Sequence, residues 1–172
     1  MVTLDTREVG TPFENRSTRR YSKDDARWAV DLLGRTTGRY RFRRGVSTDA
    51  ANLPGIVAMN AGRPVGLATV LAMKHEIEII AASAEPGYDH AIGQLLAAVT
   101  SASGIGCKRI AIVCYNAELS LQRLVQQAGF TMCTVRAGAI SSSRLRLARG
   151  QIPSNIGGVP VRDEIEFELL VR

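Results

Sequence analysis

The stretch GIVAMNAGRPVGLATVLAMKHEIEIIAASA, residues 55–84, limits the fold more than any other part of the chain. It reads as three strands in succession. Asn60, Ala61, Gly62 and Arg63 supply a hairpin turn between the first two. In EIEIIAASA the period of two puts Glu76 and Glu78 on one face and Ile77 and Ile79 on the other. The pattern then changes. Ile92, Leu95, Leu96 and Val99 recur at helical spacing from about Ala91, and GIGCKRIAIVC is a turn followed by a strand. Leu121, Leu124, Val125 and Ala128 mark a further helix that Gly129 ends, and residues 130–135 and 164–171 complete the strands. Helices alternate with strands only in the second half. That predicts a mixed α/β sheet, mostly antiparallel, with helices packed on it, rather than a doubly wound nucleotide fold.

The 172 residues, 45% hydrophobic and 22% charged, suit one globular domain over 21–172 behind a flexible arm of 1–20. No stretch approaches the ~20 apolar residues of a membrane span. MVTLDTREVG has mixed charge and no apolar core, so the expectation is a cytoplasmic protein without a secretory signal. Ser22 with Asp25 three positions later reads as a capping box opening a helix whose apolar side holds Trp28, Ala29, Leu32 and Leu33. A short helix is expected near Thr48 to Leu53. Cys107, Cys114 and Cys133 lack metal-ligand spacing, no metal site is expected, and apolar surroundings predict Cys114 and Cys133 to be buried free thiols.

The net charge of +6 is uneven: residues 1–44 carry eleven Lys or Arg against six Asp or Glu, an excess of five. Such a balance raises the local concentration of acidic partners. The YRFRR run at 40–44 has no helix-turn-helix, finger or aromatic platform beside it, which disfavours nucleic acid. The long basic, Gly/Ser/Pro-rich connection before the last strand has the length of a functional loop. Its Arg144, Arg146 and Arg149 suit a carboxylate or phosphate ligand, although solvated surface is the ordinary fate of such residues.

With the strand at 76–84, the loop EPGYDH, the helix after it and RIAIVCYNAELSLQRLVQQAGF in place, the chain resembles the GNAT family of N-acetyltransferases. The similarity spans about residues 55–171. The tail VPVRDEIE resembles a more specific bacterial subset. The resemblance implies a splayed sheet, here opening after residue 84, with helices on both faces and acetyl-coenzyme A in the opening. It implies transfer of an acetyl group, or another acyl group, to a small-molecule amine. A homodimer is left open.

The family's pyrophosphate loop runs Arg or Gln, two residues, Gly, one residue, then Gly or Ala, which falls on Tyr88, Ala91 and Gly93. Backbone N–H groups at His90, Ala91, Ile92 and Gly93 retain the means to bind an anion at a helix start. Tyr88 brings no cation, and Asp89 either repels a pyrophosphate or caps the helix. By the same resemblance Glu78 matches the strand glutamate that takes the amine proton, with Glu76 and His75 beside it. The N–H of Ala82 or Ala84 matches the oxyanion contact. Asn116 matches a family Asn, and Glu118 stands where relatives carry another Asn near the cofactor. The family's proton-donating tyrosine falls at Val125, leaving Tyr115 as the nearest phenol, and Trp28 either lines the pocket or packs in the core. Three readings stay open: a working acyltransferase, a binding subunit without the cofactor, and an enzyme of other chemistry in the same cleft.

Overall fold

The computed structural model describes residues 16–144 and 152–171. In chain order they form β1 (Arg16–Arg20), α1 (Ala26–Arg35), β2 (Tyr40–Arg43), β3 (Val46–Asp49), β4 (Gly55–Asn60), β5 (Arg63–Ala72) and β6 (Glu76–Ala84). After these come α2 (His90–Ser101), β7 (Arg109–Tyr115), α3 (Leu119–Gln127), β8 (Thr131–Arg136), α4 (Ala139–Arg144), β9 (Asn155–Ile156), β10 (Val159–Pro160) and β11 (Glu164–Leu170). Seven strands make the main sheet in the order β1-β4-β5-β6-β7-β11-β8, while β2–β3 and β9–β10 are separate two-stranded hairpins.

Every neighbouring pair in the main sheet is antiparallel except β6 and β7. That parallel pair holds only from Glu76↔Arg109 to Ile79↔Ile112. Beyond it β6 stays registered with β5 as far as Ala84, and β7 stays with β11 as far as Tyr115. The sheet therefore splits into two halves after Ile79, earlier than the expected residue 84, because each strand keeps its antiparallel partner and only the parallel contact is given up.

Both faces of the sheet are covered. On one, α2 and α3 bury Leu95, Leu96, Leu121 and Val125 against Ile77, Ile79, Ile110, Ile112 and Phe167. On the other, α1 buries Leu32 and Leu33 against Val57, Leu67 and Ile80. A third cluster joins Phe42 of β2 to Tyr115, Ile140, Ile152 and Val161. Gly55 is fixed by close approach, since a Cβ there would stand 2.3 Å from the carbonyl oxygen of Ala68. Gly129, at φ +91°, turns the chain out of α3 as a left-handed residue after a helix does.

The capping box forms as the sequence predicts: the Asp25 carboxylate accepts the Ser22 backbone N–H at 2.9 Å and its hydroxyl at 3.0 Å. Arg19 of β1 adds a two-pronged bond at 2.7 Å on each oxygen. The Arg19 hydrogen bond is the main reason that the Asp25 carboxyl is lowered to about 2. Three expectations change. Residues 16–20, read as part of a flexible arm, form an edge strand on β4; residues 1–15 lie outside the described residues. The helix near Thr48 to Leu53 is a single 3-10 turn, Ala50–Asn52. Cys107 and Cys114 are buried, but Cys133 is exposed, because β8 is the other sheet edge.

Candidate functional site

Residues 37–44 cross the split between β6 and β7. On the β6 side the hydroxyls of Thr37 and Ser83 share a hydrogen bond of 2.8 Å. On the β7 side Arg41 reaches the carbonyl of Val113, the first residue past the last parallel pair, at 3.4 Å. The same guanidinium donates to both oxygens of Glu118 at 2.7 and 2.8 Å and to the Thr37 carbonyl at 2.7 Å. Its Cζ lies 4.2 Å from the centre of the Tyr115 ring. Arg41 is 3% exposed and Glu118 6%. Burial is the largest influence and opposes the Arg41 charge, but Glu118 and Tyr115, with Cys114, together outweigh it, so the guanidinium is held above its ordinary value. Tyr115 is also enclosed, its hydroxyl accepting the Phe42 N–H at 3.0 Å; burial pushes its pKa up against the pull of Arg41.

The next residues of the segment build a lattice of charges on the same face. Arg44 and Gly45 both take left-handed φ, 47° and 82°, which makes the two-residue turn of the β2–β3 hairpin. The strained Arg44 N–H is held by the two Glu164 carboxylate oxygens at 3.2 and 3.0 Å. Glu166 accepts Arg44 at 2.5 Å and Arg109 at 2.6 Å and pairs with Arg136 at 2.8 Å. Glu76 and Glu168 hold Arg109 at 2.7 and 2.6 Å. The carboxylates of the last strand thus meet Arg44, Arg109 and Arg136.

Glu78 lies under this hairpin, 3% exposed, with Arg43 Nε at 2.9 Å and Arg44 Nη1 at 3.9 Å. The Arg43 contact is close but misaligned, so neither Glu78 Oε1 nor Arg43 Nε makes a hydrogen bond within the protein. Burial raises the Glu78 pKa, with Arg43 and Arg44 pulling the other way. A carboxylate raised in this sense moves toward what a general base needs.

The loop that follows β6 is tightly wound. Ala91 N–H bonds the Tyr88 carbonyl at 2.8 Å and Ile92 N–H the Asp89 carbonyl at 3.1 Å, and Gly93 N–H belongs to the first turn of α2, so of the four expected anion donors His90 is the one outside these bonds. Tyr88 packs against the core and its ring lies 5.9 Å from that of His90. Asp89 holds the position before the helix but makes no side-chain capping bond, contrary to the capping reading. Gly93 falls in the first turn of α2. The wall leading to this loop is Ala81, Ala82, Ser83 and Ala84, with no bulk.

In a structure described as a GNAT family acetyltransferase from Elizabethkingia anophelis with acetyl-CoA bound, the same architecture recurs with a TM-score of 0.63. The likeness covers 92% of this chain and 99% of that one, at 15% identity. The fold is that of the GNAT acetyltransferases. An IAA acetyltransferase from Bacillus cereus gives a TM-score of 0.66 at 20% identity over 91% of this chain and 99% of its own. A spermidine N-acetyltransferase variant from Vibrio cholerae gives 0.60 at 12% identity over 91% and 94%. No protein-family model and no curated protein sequence matches the chain.

Within this GNAT fold the other expected residues have plain partners. Trp28 donates to Glu85 at 2.9 Å, next to the loop and beside Arg35. Asn116 ties down the tail: its Oδ1 accepts the N–H groups of Arg162 and Asp163, and its Nδ2 donates to the Pro160 carbonyl. His75 meets the Gly106 carbonyl at 3.1 Å, away from the split. Val125 is buried in the core, and Arg144 ends α4. Arg146 and Arg149 lie outside the described residues. Sequence reasoning missed Arg41, Arg43 and Arg44. The available signal was the YRFRR run, whose alternation puts Arg41 and Arg43 on one side of a short strand. Among the described residues no group of three or more His, Cys, Asp or Glu is placed to hold a metal, and no helix is long and apolar enough to cross a membrane.

Proposed function

We propose that the protein is an N-acyltransferase that moves an acetyl group, or a related acyl group, from coenzyme A to a small-molecule amine. The observation that supports this most is the split between two parallel strands, lined on the β6 side by Ala82, Ser83 and Ala84 and leading to the start of α2. That small-residue wall and helix start fit a thioester lying along backbone. Ala82, Ala84 and the start of α2 at His90 would hold the coenzyme, whose thioester supplies the activated acyl carbon. Glu78, raised by burial, takes the proton of the amine as the new C–N bond forms. Release of the coenzyme's sulfur as the C–S bond breaks would need a proton, which solvent or Tyr115 would give, since Val125 has none.

A second reading, a GNAT-fold protein that no longer uses the coenzyme, is favoured by the Arg41–Glu118 pair across the split and by Asp89 at the loop. Calorimetric titration with acetyl-coenzyme A, followed by a thiol-release screen over diamines, amino acids and aminoglycosides, separates the two. Binding with amine-dependent thiol release supports the transferase. A folded protein that binds no acetyl-coenzyme A supports the second reading.

A further inference from the structure

We propose that Glu118, the Tyr115 ring and the carbonyls of Val113 and Thr37 form a seat for the cationic nitrogen of the incoming acceptor, and that Arg41 is its built-in competitor. This inference rests on the N-acyltransferase reading for what later happens to the nitrogen, but the seat can be tested without coenzyme A. The groups around the Arg41 guanidinium are the groups that recognise an organic cation. They comprise a carboxylate in two-pronged contact at 2.7 and 2.8 Å, two carbonyl oxygens at 2.7 and 3.4 Å, and an aromatic face at 4.2 Å. Glu118 is anchored independently of Arg41, its Oε2 accepting the Tyr115 N–H at 2.7 Å, so the carboxylate keeps its place when the guanidinium leaves.

The seat also lies where an acceptor must arrive. Val113 is the first β7 residue past the last β6–β7 pair, so a nitrogen at its carbonyl stands at the apex of the opening. Arg41 comes from a hairpin that is not part of the main sheet. Phe42 is the only buried apolar side chain that this hairpin contributes, and the rest of its hold on the sheet is ionic or hydrogen-bonded. A cationic ligand can therefore compete for the very group that holds the hairpin down.

The test uses the full chain. Arg41→Ala removes the atoms of ethylguanidine, so that compound is the matched probe, with neutral ethylurea as control. At about ten times its dissociation constant, a ligand of the folded state should raise the melting midpoint of Arg41→Ala by about 3–6 °C for a chain of this size. Ethylurea should not do so, and the natural protein should respond at least tenfold more weakly, because its own Arg41 competes intramolecularly. Folding of an otherwise unfolded Arg41→Ala by ethylguanidine and not by ethylurea is the same positive result. A folded variant that ignores ethylguanidine, or responds equally to ethylurea, overturns the proposal. If the variant folds with neither compound, hydrogen exchange in the natural protein decides. Agmatine should speed exchange of the Phe42 amide, which is bound to Tyr115 only while the hairpin is down; unchanged exchange overturns the proposal. Cation binding without acetyl-coenzyme A binding would leave the seat standing and remove the transferase, and the reverse pattern would do the opposite.

Discussion

Replacing Glu166 by Gln should cost the fold about 3 kcal/mol at neutral pH, and the loss should depend on pH. Glu166 is 3% exposed and takes contacts from Arg44, Arg109 and Arg136 at 2.5, 2.6 and 2.8 Å. Burial alone would raise its pKa, but the three guanidinium groups outweigh burial and lower it from 4.5 to about 2. A depression of that size corresponds to about 3 kcal/mol of folding free energy. The independent expectation for removing one member of a buried charge cluster, about 3–5 kcal/mol, is of the same order. Because the folded-state pKa is the lower one, the contribution is complete above 4.5 and is lost as pH falls through about 2. Urea unfolding followed by the fluorescence of Trp28, the single tryptophan, reads the difference directly. At pH 7 the melting midpoint of Glu166→Gln should lie about 6–12 °C lower for a chain of this length, and the gap should narrow steadily below about pH 4.5. A gap under about 1 kcal/mol at pH 7, the range of exposed ion pairs, would refute the view of Glu166 as the buried hub of the lattice. So would a gap of equal size at pH 3 and pH 7.

Three further variants follow from the geometry. Glu78→Gln should lower turnover by about 10²–10⁴-fold with little change in coenzyme binding, and unchanged turnover at saturating amine would remove Glu78 as the base. Tyr88→Arg with Asp89→Gly should tighten coenzyme A binding at least about tenfold by calorimetry, an effect shrinking with salt, because a cation enters and an anion leaves the helix start. Equal affinity at low and high salt would show that charge is not the cause. Gly55→Ala should destabilise the fold by more than about 1–3 kcal/mol in thermal melts, since its Cβ would stand 2.3 Å from the Ala68 carbonyl oxygen, and a melt within 1 °C of the natural protein, ~0.5 kcal/mol or less, would contradict that contact.

The parts of the fold legible in the sequence are those whose partners lie nearby. The β4–β5 hairpin was readable because Ala61 and Gly62 form its two-residue left-handed turn, and β6 because its isoleucines and glutamates alternate. Residues 16–20, Arg-Ser-Thr-Arg-Arg, show no such alternation. They are a strand only because β4 offers a free edge, a condition set by the rest of the sheet. Cys133 follows the same logic in reverse: its apolar neighbours suggest burial, but edge position exposes it. The candidate site was legible on β6 and in the loop, where Glu78 and Tyr88 stand in a continuous motif. The other wall was not. Arg41 finds its carboxylate 77 residues away, and a run of basic residues is ordinarily a solvated face, so nothing local distinguishes a buried arginine from a surface one.

That difference between the walls bears on how the site can work. Past the last pair with β7, the β6 wall is Ala81, Ala82, Ser83 and Ala84, which carry no charged side chain. Whatever selectivity for charge exists must therefore come from Glu78 below the split, from the β7 side and from the hairpin above them. There the chain has put Arg41 on Glu118, Arg43 beside Glu78, and Arg44 on Glu164 and Glu166, with a single phenylalanine as apolar support. An apolar latch would be indifferent to the charge of a ligand, because burying it depends on area alone. An ionic latch is not, since each of its buried carboxylates loses about 3–5 kcal/mol of compensation if its arginine departs with no replacement. Opening is therefore costly in water and much less so when an ammonium or guanidinium group arrives to take the vacated contacts. Neutralising both members, as in Arg41→Met with Glu118→Gln, should free the hairpin from that dependence. Hydrogen exchange at Phe42 would then be insensitive to agmatine, and a double variant in which agmatine still speeded that exchange would show that the Arg41–Glu118 pair is not the contact the cation competes for.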